Sequence, residues 1–174
     1  MNATVKIHEP NLCVVQQVCN FCLDQDENTN WCEKCGLREH VFDVDPVSEF
    51  VKLALLPKKK IVQTVCIAHN RFEGFDSQFV LKHLVEKLRL RPKLILNGTK
   101  IVLMSVKKVR FVDSLNFLHM PLSSLPKAFG LPNLLKGDFR IFLMLRKTEV
   151  MSVHYRIFVI MRLIICRVIK GKSF

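Results

Sequence analysis

Two cysteine pairs, Cys19-x-x-Cys22 and Cys32-x-x-Cys35, stand nine residues apart, and Gly36 follows the last of them. Each pair sets two thiolates on one tight turn whose amide N–H groups can point at sulfur, and two such turns complete a tetrahedral metal site. The competing account, two structural disulfides, needs an oxidising compartment. Met1 to Glu9 is polar and has no apolar core of the kind a signal peptide carries, so an intracellular, reducing compartment is expected and secretion is not. Four sulfur ligands leave no open coordination position, which makes the expected zinc structural and not catalytic. Trp31 is expected to pack over this knuckle. His40 reads as a surface residue, and Cys13, Cys66 and Cys166 as ordinary thiols.

At 174 residues the chain is one domain's worth. Its net charge of +12 suggests a polyanionic partner, because clustered Lys and Arg release counterions from phosphates. The position of the charge weakens that inference. Residues 140–174 hold eight Lys and Arg against Glu149 alone, a surplus of seven. The apolar run Ile157 to Ile169 is interrupted by Arg162 and Arg167 and is shorter than the roughly 20 residues a membrane helix needs, so no membrane span is expected.

Apolar patterning predicts strands at Leu12 to Val18, Val41 to Val44 and Thr64 to Ala68, and a helix over Val47 to Leu56 that ends at Pro57 before Lys58, Lys59 and Lys60. From Asp76, apolar residues at Phe79, Val80, Leu84 and Leu88 recur at helical spacing, and Arg91-Pro92 ends that helix. Three short strands follow at Leu94 to Leu96, Ile101 to Ser105 and Val109 to Val112, with Asn97-Gly98 as a hairpin turn. Pro121 to Phe129 predicts a short helix closed by Gly130. Strand, helix, hairpin and helix make an α/β unit with a mixed sheet.

After the Thr64 to Ala68 strand come Asn70, Phe75 and Asp76. Read from the residues alone, Asp76 fits a helix cap and Phe75 a core position as well as any site. The chain nevertheless resembles the protein-primed branch of the family B DNA polymerases, those of organellar plasmids, viruses and self-synthesising DNA transposons. The likeness rests on Asn70 with Gly74-Phe75-Asp76, on Pro10-Asn11-Leu12-Cys13, on Trp31-Cys32-Glu33-Lys34-Cys35-Gly36, on Phe111-Val112-Asp113-Ser114-Leu115-Asn116-Phe117, and on Leu125-Pro126-Lys127-Ala128-Phe129-Gly130-Leu131. It covers about residues 10–139.

The resemblance implies an incomplete ribonuclease H-like exonuclease domain over residues 1–139, with a small zinc-binding insertion of four cysteine ligands at residues 19–35. In the parent enzyme Asp76 is then the catalytic acid that binds Mg²⁺, since two hard cations can steady both the attacking and the leaving oxygen. Asn70 and Phe75 hold the single-stranded primer terminus, Phe75 by stacking, and Ser114 and Leu115 form a second single-strand contact. A terminal protein that primes synthesis is the further partner implied. The implied function is template-directed DNA synthesis with proofreading, in the replication of a mobile or viral element.

Two departures stand against activity in this chain. The spacer from Asn70 to Asp76 is one residue longer than the family's usual form, and no Asp-x-Glu, the family's first exonuclease motif, occurs in Met1 to Glu9. The third exonuclease motif and the polymerase motifs are absent too, and one carboxylate cannot hold two cations.

Beyond Phe139 the family's pattern stops, and residues 140–174 show neither helical nor strand period. Read one nucleotide earlier, permissible codons restore family-like strings such as YVGPLPD. A frameshifted tail without a native fold is therefore expected. The alternative function is a small zinc-binding module that binds nucleic acid or protein without catalysis.

Overall fold

The computed structural model describes residues 5–19, 21–22, 29–57, 63–68, 76–121, 124–128, 130 and 156–170, with the backbone alone at 5–8, 125–126 and 156–170. The architecture is α/β. A seven-stranded mixed sheet is built from β1 (Val5–Cys19), β4 (Glu39–Phe42), β5 (Gln63–Ala68), β6 (Lys93–Asn97), β7 (Lys100–Val106), β8 (Val109–Asp113) and β9 (Arg156–Lys170), in the spatial order β4-β1-β9-β5-β8-β7-β6. The central pairs β9–β5 and β5–β8 are parallel, and all the outer pairs are antiparallel. A separate ribbon of β2 (Trp31–Cys32) and β3 (Gly36–Leu37) belongs to the knuckle.

Strand β1 is longer than its apolar run predicts. It incorporates Pro10, which cannot donate to a ladder, and the register with β9 shifts between Pro10 and Leu12 to accommodate it. Helix α1 (Pro46–Leu55) starts where chemistry favours a start: Asp45 accepts from the Ser48 N–H at 3.3 Å, and Pro46 occupies the first turn, where a missing N–H costs nothing. The helix buries Phe50, Val51 and Ala54, and the Phe50 ring meets Phe111 of β8 edge-on with centroids 6.1 Å apart. Burial of a side chain such as Phe50 contributes about 2–3 kcal/mol.

The predicted second helix is α2 (Ser77–Lys82) running into a π-helical turn, His83–Lys87. Val80 and Leu84 are buried as expected, while Leu88 is 40 % exposed. The Leu88 N–H bonds back to His83, five residues earlier, and this wider turn rotates the last apolar position away from the core. The hairpin strands fall close to their expected places. Gly98 and Thr99 form the β6–β7 turn, with Gly98 at φ 60°, and Lys107 at φ 52° carries the left-handed position of the β7–β8 turn. A short helix α3 (Leu125–Ala128) precedes Gly130.

The tail departs from expectation. Residues 156–170 were expected to form no element, yet their backbone makes β9, paired with β1 from Val5–Lys170 to Cys19–Ile157 and with β5 from Gln63–Arg156 to Ile67–Ile160. An interior strand with neighbours on both sides reads as a nearly continuous apolar run, so a missing period of two does not exclude it. Lys58 to Lys60 and Phe129 lie outside the described residues.

Candidate functional site

The knuckle is assembled from the end of β1 and the β2–β3 ribbon. Alternation along β1 turns Cys13, Val15, Gln17 and Cys19 inward, and Cys22 follows on a turn whose N–H bonds back to the Cys19 carbonyl at 3.1 Å. The four sulfurs of Cys19, Cys22, Cys32 and Cys35 are buried and lie within 4.8 Å of one another. Separations of 3.7 Å for Cys19–Cys22 and for Cys19–Cys32, and 3.8 Å for Cys22–Cys35, rule out S–S bonds between those pairs. They match the spacing of about 3.8 Å that metal–sulfur bonds of about 2.3 Å require at tetrahedral geometry. The four cysteines can therefore hold a metal ion.

Backbone amides point at the sulfurs, Cys19 N–H to Cys22 Sγ at 3.1 Å and Lys34 N–H to Cys32 Sγ at 3.4 Å. Side-chain hydrogen bonds from Cys22 and Cys35 pull the Cys19 thiol down to about 2, and the same sharing pushes Cys22 up to about 11 and Cys35 upward as well. A metal bound here would be held by thiolates, so its affinity would rise with pH.

Three residues outside the ligand set lock this geometry or border it. Gln17 is buried in a position the strand alternation directs inward, and its amide donates to the Cys35 carbonyl at 2.8 Å and also to the Leu37 carbonyl. Arg38 is buried and donates to the Thr29 carbonyl at 2.8 Å. His40 lies apart from the sulfurs; its Nε2 donates to the Leu37 carbonyl at 3.1 Å, and its ring stacks on Phe42. Sequence reading overlooked Gln17, although an inward-facing amide two residues before a ligand was the available signal. Trp31 corrects an expectation. It does not cover the knuckle but stands 62 % exposed, opposite Leu37 across the ribbon. A two-residue strand has only one partner strand and no second layer to bury its outward face.

The second candidate lies at the C-terminal ends of the parallel strands β5 and β8. Ala68 of β5 pairs with Asp113 of β8, and the Ser114 hydroxyl donates to the Ala68 carbonyl at 3.1 Å. Asp76 opens α2, 1 % exposed, and its side chain makes no capping hydrogen bond to the helix. The alternative of a simple helix cap is therefore not what its side chain does. Asp113 is fully buried and accepts the Leu115 N–H at 2.9 Å, which commits one oxygen to a local turn. Cys13 sits close enough to feel Asp76: burial first, then the Asp76 charge, pushes its thiol up to about 12. It is a neutral, inert thiol at ordinary pH.

Of the residues expected to contact a single strand, Ser114 is buried and Leu115 half-buried, while Asn70 and Phe75 lie outside the described residues. Among the described residues, the knuckle is the only group of three or more Cys, His, Asp or Glu side chains placed to share a metal. A cleft of about 300 Å³ opens at the other end of β5 and β8, lined by Leu55, Pro57, Gln63, Lys107 and Lys108, and is separate from Asp76. No helix of the described residues is long and apolar enough to cross a membrane. No protein-family model matches the chain, and no curated protein or solved structure shows significant similarity to it.

Proposed function

We propose that this chain derives from the exonuclease domain of a protein-primed family B DNA polymerase, carries structural zinc in its knuckle, and alone neither extends nor degrades DNA. The observation that supports the reading most is that the end of β5, which leads in sequence to Asn70 and Asp76, lies beside the end of β8. Asp76 enters a helix after β5, and Asp113-Ser114-Leu115 closes the parallel neighbour β8, with Ser114 tied to the last carbonyl of β5. Ligands at the carboxyl ends of parallel strands are a general property of α/β sheets.

On this reading Asp76 is one ligand of a two-cation phosphodiester site whose other acids belong to sequence the chain lacks. The role of Ser114 becomes that of a brace: its hydroxyl is spent on β5, and it sets the backbone that presents Leu115 to a primer strand. The slot between β1 and β5 belongs to the parent's opening strand with its Asp-x-Glu. Residues 156–170 fill it as frameshifted sequence, rich enough in Ile and Val to pair wherever two edges are open. Zinc is the metal of choice for four buried thiolates in a closed tetrahedron, where it stabilises the fold and takes no part in catalysis.

Reading the genomic DNA across codon 139 tests the proposal. A frame one nucleotide away that continues with the family's residues, and an Asp-x-Glu upstream of Met1, are expected. An unbroken frame with no such residues on either side overturns it. The non-catalytic zinc module then remains, supported by the four clustered sulfurs.

A further inference from the structure

We infer that the outer face of the knuckle, carried by Phe21, Trp31 and Leu37, is a docking surface for a basic protein segment and not for nucleic acid. This goes beyond the polymerase reading and does not depend on it. Trp31 is 62 % exposed and Leu37 41 % on the β2–β3 ribbon, and Phe21 is 46 % exposed in the turn between Cys19 and Cys22, on a backbone held by the cysteine turns, Gln17 and Arg38. Large apolar side chains held rigid in water lose little entropy on docking, and Trp is among the residues that most often dominate binding energy.

Exposed aromatic rings on a zinc knuckle also suit nucleobase stacking, so electrostatics has to decide. Among the described residues from 21 to 45, four acids, Glu33, Glu39, Asp43 and Asp45, stand against Lys34 and Arg38, a local charge of −2 in a chain whose total is +12. A divalent ion on four thiolates adds a further net negative charge. Arg38 is buried on the Thr29 carbonyl, which leaves Lys34, exposed and over the Phe21 ring at 5.8 Å, as the one base outnumbered there by the four acids. Glu33, Glu39, Asp43 and Asp45 are exposed. A phosphate backbone gains by displacing counterions from a cationic surface, and here it would meet anions. A basic segment with an apolar side chain gains from both the rings and the carboxylates.

Trp31 is the only tryptophan, so its emission reports this face alone, even while an oligonucleotide occupies basic surface elsewhere. The metal-loaded full chain is titrated with a Lys- and Leu-rich peptide and, separately, with a single-stranded oligodeoxynucleotide. The peptide is expected to shift the emission to the blue, with affinity falling as salt is raised past a Debye length of about 10 Å. Leu37→Ala should weaken it about tenfold. The exposed pair Glu33→Lys and Glu39→Lys should weaken it further and flatten the salt dependence. A shift produced by the oligonucleotide, no shift with the peptide, or wild-type peptide affinity in Leu37→Ala overturns the inference.

Discussion

The knuckle and the Asp76 end of the sheet differ in how far apart in sequence their buried polar groups lie. All four knuckle sulfurs come from residues 19–35 and converge to tetrahedral spacing. Of the two buried acids at the Asp76 end, Asp76 opens helix α2 and Asp113 ends strand β8 with one oxygen committed to Leu115. A site drawn from one short stretch survives when the surrounding chain is altered. A site assembled from several distant segments depends on every one of them, so the replacement of any one would disable it.

The sharpest way to break this contrast is to remove a knuckle ligand. Cys35→Ser is expected to abolish stoichiometric metal binding, forfeiting most of the about 10–16 kcal/mol such sites draw from the metal. Chelator competition and the emission of Trp31 would report it, and retention of tight binding would show that the four sulfurs do not act together. At the other centre the strongest expected effect is a pH dependence. Cys13 ionises near 9.0 when unfolded and is pushed up to about 12 when folded. The folded state therefore keeps a proton that the unfolded chain gives up. This contribution is fully present below pH 9.0 and is lost as pH rises towards about 12. Its size is on the order of 4 kcal/mol. The stability of the wild type should fall more steeply with pH in that range than that of Cys13→Ala, and parallel pH dependences would show that the Cys13 thiol is not elevated.

How much of this could be read beforehand follows the same division. The cysteine spacing specified the knuckle because a tetrahedron leaves little choice once two tight turns supply the ligands. Val80 and Leu84 were legible as core from their period, and Leu88 was not, because a single π-turn to His83 undoes the 3.6-residue count. Gln17 stood beside Gln16 in a strand of mixed polarity, and its role depends on carbonyls 18 and 20 residues away. β9 was illegible for another reason. An interior strand is defined by the neighbours that flank it, here β1 and β5, and no local pattern announces them.

Smaller effects sharpen the contrast. Gln17→Leu removes both amide donors from the Cys35 and Leu37 carbonyls, which should cost about 1–3 kcal/mol. The accompanying loss of metal affinity should be about tenfold, the low end for a residue that supports a ligand, and calorimetry with and without metal separates the two terms. Asp113→Ala should cost about 1 kcal/mol through the lost Leu115 N–H bond, and it should leave metal binding at the knuckle unchanged.

The smallest expected effect carries the most weight for function. In an intact two-cation nuclease, replacing a ligand carboxylate by an amide removes transition-state stabilisation worth several kcal/mol. Here Asp76→Asn should change nothing in a Mg²⁺-dependent primer-degradation assay, because the wild-type chain is expected to degrade no primer. A structural change should still register: with the Asp76 charge gone, the Cys13 thiol loses the second cause of its elevation and its alkylation should begin at lower pH, while burial, the larger cause, keeps it above the ordinary value. Measured together, the two readouts separate a silent assay from a misfolded protein. Primer loss in the wild type that Asp76→Asn abolishes would mean that the acids missing from residues 1–9 are supplied elsewhere in the chain, and the contrast between a complete and a broken centre would fall.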